Sequence, residues 1–189
     1  MRVRFVPVSI VLVVTLVMVL ASVFVLLGTS SAVGQSPASV IPKVNVESGG
    51  SLSITGGTVN GNQIDFGNMG PGQTLERTLK LGITANNAWH LMVSKNQDMT
   101  VSYLGAAIPS ANFTFTSTAG TPPPSGTPSY FSNSQFGTDT NVVTNGAATG
   151  GSNVNVVYSL MVPGDQSSND PKQGYYSALH TYTLVVGSP

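Results

Sequence analysis

The sequence predicts an all-β chain, an antiparallel β-sandwich preceded by an N-terminal hydrophobic segment. Three observations carry this. Several stretches alternate apolar and polar residues with a period of two, which buries one face of a strand and wets the other. Turn signals separate them: Ser48-Gly49-Gly50, Gly56-Gly57, Gly70-Pro71-Gly72, Asn145-Gly146, Gly150-Gly151 and Pro163-Gly164-Asp165. Beyond the first 32 residues, no stretch reads as a helix.

The elements follow in chain order. Arg2 and Arg4 precede an uncharged, Val- and Leu-rich run from Phe5 to Leu27, and Ser30-Ser31-Ala32 supplies small residues for cleavage. Residues 1–32 therefore read as a secretory signal peptide. An uncleaved membrane anchor is the alternative, because the run is long enough to span a bilayer. In either case the chain is expected outside the cytoplasm, secreted or at the cell surface. It touches a membrane only through this segment, if the segment is retained.

Residues 33–43 read as a short flexible lead-in, and a sandwich domain is expected over 44–189. Short strands are expected at Ser51–Ile54, Gln63–Phe66, Met99–Tyr103 and Asn112–Thr116. Leu75, Leu79, Leu81 and Ile83 alternate with Glu76, Thr78, Lys80 and Gly82. Trp89, Leu91 and Val93 share a face opposite His90 and Ser94. Residues 117–153 hold Pro122-Pro123-Pro124, Pro128 and many Ser, Thr and Asn. They read as a long surface loop, or a loop with one weak strand near Asn141–Thr144. Val154, Val156, Tyr158, Leu160 and Val162 form the longest alternating run. Tyr176, Ala178, His180, Tyr182, Leu184 and Val186 form the last. About eight strands result, an arrangement of alternating runs and turns that suggests a sandwich.

Composition excludes several functions. Only 7% of the 189 residues are charged, and 7 Lys+Arg balance 7 Asp+Glu, so no basic surface exists for nucleic acid. The chain has no cysteine, hence no thiol nucleophile, no disulfide framework and no Cys-based zinc site. Its two histidines, His90 and His180, fall on predicted strands, and no G-x-S-x-G elbow accompanies the serines. Their phases differ: His180 shares the face of Tyr182 and Leu184, whereas His90 opposes Trp89 and Leu91. That disfavours a shared metal site. The carboxylates after the signal segment (Glu47, Asp65, Glu76, Asp98, Asp139, Asp165 and Asp170) show no convergent pattern. Asp165, Asn169 and Asp170 do not match the EF-hand spacing and read as a polar hairpin loop. A non-enzymatic protein with no catalytic residue, metal site or cofactor is expected. Trp89 reads as core. Alternation sends Tyr175 to the face opposite Tyr176 and Tyr182, so one of these sets is left for a ligand or another subunit.

The run Asn87-Ala88-Trp89-His90-Leu91-Met92-Val93-Ser94 resembles the first W-x-L motif of the WxL family of cell-wall surface proteins. Ile64-Asp65-Phe66-Gly67 is similar to that family's strand ending in Phe-Gly, and Leu104-Gly105-Ala106-Ala107-Ile108 to its L-x-G-A strand. Near the end, Gly174-Tyr175-Tyr176 precedes Tyr182-Thr183-Leu184, with Pro189 last, as in the second motif. There the family's second Trp is replaced by Tyr182. The resemblance implies an Ig-like β-sandwich and non-covalent binding to peptidoglycan, often within complexes of surface proteins. Trp89, Leu91, Tyr182 and Leu184 would be its motif residues and Tyr175 and Tyr176 candidate ligand contacts.

A second resemblance is to secreted fibre subunits such as spore-coat-U-like pilins and camelysin-like proteins. It implies self-assembly by donor-strand addition. Residues 33–46 would be the donor strand, with Val40, Ile41, Val44 and Val46 as its apolar positions and Pro42 interrupting it. The cysteines usual in the pilins are absent.

Overall fold

A computed structural model describes residues 36–47, 49–60, 63–101, 106–162 and 176–187. The signal or anchor segment, Tyr175 and the Asp165–Asp170 loop lie outside the described residues. The chain divides into two units, Met1–Val33 and Gly34–Pro189, and everything described belongs to the second. Among the described residues no helix is long and apolar enough to cross a membrane.

Among the described residues thirteen strands follow one another: β1 Ser36–Val46, β2 Gly50–Gly57, β3 Val59–Asn60, β4 Gln63–Met69, β5 Thr74–Ala85, β6 Trp89–Val101, β7 Ala106–Ala107, β8 Phe113–Ala119, β9 Gly126–Tyr130, β10 Ser134–Gln135, β11 Thr140–Gly146, β12 Thr149–Met161 and β13 Tyr176–Val186. The only helical element among the described residues is a 3-10 turn, Ser110–Asn112. The protein is all-β, with two sheets. One runs β3-β4-β1-β13-β6-β11-β9, with β7 also on β6. The other runs β10-β8-β12-β5-β2.

The alternating runs became the strands that face each other across the core. β13 buries Tyr176, Ala178, His180, Tyr182 and Leu184, and β6 buries Trp89, Leu91 and Val93. From the other sheet β5 brings Leu79, Leu81 and Ile83, β12 brings Val154, Val156, Tyr158 and Leu160, and β8 brings Phe113 and Phe115. Packing two such faces together removes the apolar rows of both sheets from water, which supplies most of the driving force for this fold.

Four expectations are corrected. The lead-in expected over 33–43 is largely strand: β1 occupies Ser36–Val46, with β4 on one side and β13 on the other. Its pairing with β13 is parallel, whereas the other strand pairs among the described residues are antiparallel. The segment 117–153 is not a loop with one weak strand. It contains β9, β10 and β11, and it buries Phe136, Val142 and Val143 in the core. Met99–Val101 is not separate but closes β6, whose exposed middle (Asn96, Gln97, Asp98) hides its continuity. The strand count rises accordingly, in part through the two-residue strands β3, β7 and β10.

Candidate functional site

The first strand is the structural feature with the clearest functional consequence. Ala38, Ser39, Val40 and Pro42 are buried. Val40 is registered against Ile64 of β4 and Ala178 of β13, so it closes the core between two strands distant in sequence. Only Glu47, Ser48 and Gly49 connect β1 to β2, which lies in the other sheet. Gly49 adopts φ +69° there, a left-handed conformation that suits glycine, and an added Cβ would stand 2.8 Å from Asn86 Oδ1. β1 is thus an inserted strand on a three-residue tether.

Of the four residues expected to form a donor strand, Val40 is fully buried, Ile41 and Val46 are half-buried, and Val44 is 40% exposed. The sequence reading missed Ala38 and Pro42. Both share the inward-facing phase of Val40, and that even-numbered spacing was the available signal.

Beneath β1 lies a buried polar and aromatic cluster. Pro42 is registered with His180. The Tyr182 hydroxyl donates to the Tyr158 hydroxyl at 2.7 Å, and Tyr158 lies 3.4 Å from His180 Nδ1. His180 Nε2 has no hydrogen-bond partner among the described residues. Phe136 packs on the imidazole with ring centroids 4.1 Å apart, and Phe113 at 5.5 Å. The His180 pKa lies down at about 3, chiefly through burial and also through the Lys95 charge, with Asp98 partly opposing them. Burial likewise raises both tyrosines. These shifts keep all three groups neutral across ordinary pH, as burial in the core requires.

The two W-x-L-like motifs come together. β6 and β13 are antiparallel neighbours, with Leu91 opposite Leu184, Val93 opposite Tyr182 and Trp89 opposite Val186. All four motif side chains, Trp89, Leu91, Tyr182 and Leu184, are buried. Tyr176, expected as a ligand contact, is 1% exposed and belongs to the core instead, because it shares the inward phase of Tyr182. His90 and His180 lie on opposite faces of these strands: His180 faces the core, and His90 lies between buried Trp89 and Leu91 on the other side.

Trp89 is held by its indole N–H, which donates to the Ala147 carbonyl at 2.7 Å, and by Gly146, whose missing side chain admits the ring. Beside it a cavity of about 300 Å³ is lined by Ala88, Trp89, His90, Asn141, Thr144, Asn145 and Gly187. No family model matches the chain, and no curated protein matches it.

Proposed function

We propose that this chain is a non-enzymatic structural subunit of an extracellular fibre, assembled by passing β1 from one copy to the next. The observation that carries the reading is the position of β1: an interior strand with buried Ala38 and Val40, joined to the rest of the fold by three residues. Withdrawing it would open a slot between β4 and β13 that an equivalent strand would fill. Exchange keeps the same contacts in both states, so its cost lies mainly in opening the closed form, and short tethers favour it. Head-to-tail exchange whose rotation does not close into a ring builds an open chain. The export signal and the low charge of the sequence fit such a role at the cell surface.

The test uses the absence of native cysteine. Asn45 and Thr183 are registered on β1 and β13. Asn45→Cys and Thr183→Cys are made in separate chains and mixed during assembly. A disulfide joining the two chains in fibres supports exchange. Fibres without it, or no fibres at any concentration, would refute it.

A second reading, non-covalent binding of cell-wall polymer, is favoured by the cavity beside Trp89. His90, Asn141, Thr144 and Asn145 offer polar contacts there, at the first motif of the family resemblance. Stacking by Trp89, Tyr176 or Tyr182 is not part of this reading, since all three are buried. Retention on purified peptidoglycan, lost on Asn141→Ala with Asn145→Ala, would support it, and failure of the native chain to be retained would end it.

A further inference from the structure

Besides closing the core between β4 and β13, β1 lies beside the buried histidine. Pro42 is registered with His180, and both side chains face inward. On the other flank of β13, Lys95 of β6 is registered with the same residue. Aromatic rings close the rest: Tyr158 of β12, Phe113 of β8 and Phe136. Of these neighbours only Pro42 leaves when β1 is withdrawn.

The closed cluster suits a neutral imidazole and not its cation. An imidazolium donates from both ring nitrogens. Here Nδ1 meets the Tyr158 oxygen at 3.4 Å, and that oxygen already accepts from the Tyr182 hydroxyl. Nε2 has no partner among the described residues. The charged groups nearby do not compensate. Lys95 and Asp98 of β6 are paired with each other at 2.6 Å. Arg77 of β5, registered with Tyr158, is turned to the carbonyls of Asp65, Glu76 and Phe66. Neither tyrosine is ionised, because burial raises both. Burial, with the Lys95 charge second and Asp98 opposing, accordingly holds the His180 pKa at about 3, against an ordinary 6.5. An empty β1 seat would admit water beside β13, and water supplies the acceptors that the closed core lacks.

On the strand-exchange reading, we infer that the β1 slot is acid-gated: a proton on His180 favours the state in which β1 has left its seat, so acid releases the strand for exchange. Between pH 6.5 and 3 the open state binds the extra proton, and falling pH draws the equilibrium toward it. Above that window both states are neutral at His180 and the gate stays shut.

Thiol labelling in the full chain tests the gate, since the sequence has no cysteine of its own. Val40→Cys, buried on β1, reacts when the strand leaves. Val156→Cys, buried on β12, reacts when the whole core opens. Exposed Val44→Cys calibrates the reagent at each pH, a pyridyl disulfide that stays reactive in acid. With labelling slow enough to follow the open population, Val40→Cys should react faster than Val156→Cys at every pH. Relative to Val44→Cys, its rate should rise by up to about eightfold from pH 7 to pH 5.5 and about seventyfold to pH 4.5, the limits reached when the open state restores the ordinary proton affinity of His180. His180→Gln and His180→Phe, checked for folding by the emission of buried Trp89, should each flatten that rise to within about twofold. A rise absent from the chain that keeps His180, or retained in a folded His180 variant, would overturn the gate and leave strand exchange standing. Labelling of Val40→Cys no faster than that of Val156→Cys at any pH would overturn both, because β1 would then never leave alone.

Discussion

Leu91 on β6 stands directly opposite Leu184 on β13, and neither is reached by solvent. The two motifs that look alike in the sequence are thus two sides of one cross-strand contact in the core. Truncating either leucine to alanine should cost on the order of 2–5 kcal/mol. The double variant should lose less than the sum, by at least about 0.5 kcal/mol, because both changes open one cavity. Urea unfolding of the four chains measures this. Full additivity would show that the two side chains do not share a packing site.

Gly146 is predicted to be irreplaceable for a local reason. A Cβ there would stand 2.2 Å from Trp89 Cε2, inside the ring's own volume. The indole is also tied to the neighbouring residue by its bond to the Ala147 carbonyl, so it has little freedom to yield. Gly146→Ala should cost about 1–3 kcal/mol by overpacking. It should also shift the fluorescence of Trp89, the only tryptophan, to longer wavelength. An unshifted spectrum with native stability would mean the ring moves freely.

Stability should fall in acid through His180. Its unfolded imidazole titrates near 6.5 and its folded one near 3. Between those values the unfolded chain binds the extra proton, so acid draws the equilibrium toward it. The contribution is fully present above about pH 6.5 and is lost as pH falls toward 3, on the order of a few kcal/mol in total. His180→Gln should flatten the fall in urea midpoint between pH 7 and pH 4, while lowering stability at pH 7. His90→Gln, outside the core, should stay within about 0.5 kcal/mol of the native chain at either pH. An acid fall unchanged by His180→Gln would assign it to other groups.

How much was legible follows from which physical signal each element carries. The run from Tyr176 to Val186 is a strand whose inward face is buried from Tyr176 to Leu184, and period two located it to the residue. β11 hides that signal because register shifts flank Val143, leaving the consecutive Val142 and Val143 both buried. β9 carries Gly126 and Pro128, residues that read as loop and are tolerated on a sheet edge. β1 reads in the sequence as a flexible lead-in, and as a donor strand only under the fibre resemblance, since its seat is made by β4 and β13 and no local pattern announces which distant strands will receive it. The cavity beside Trp89 was invisible for a similar reason: it joins residues of β6 and β11 with Gly187, just past β13.

Proline at two adjacent positions of β1 should have opposite consequences. Asn45 N–H points to β13, by parity with Glu47 N–H, which donates to Leu184 O. Asn45→Pro removes that donor and leaves a carbonyl on β13 unpaired, which should cost on the order of 1–3 kcal/mol. Val44 N–H points away from β13, so Val44→Pro removes no bond to that strand. The native chain already has proline two residues earlier, on the same parity, at Pro42. Val44→Pro should therefore keep its urea midpoint within about 0.5–1 kcal/mol of native, the remainder reflecting the fixed φ of proline in an extended strand. Amide hydrogen exchange gives an independent reading in the native chain: Asn45 should be protected as a sheet interior is, and Val44 should exchange faster. Equal destabilisation by the two prolines would break the parity argument.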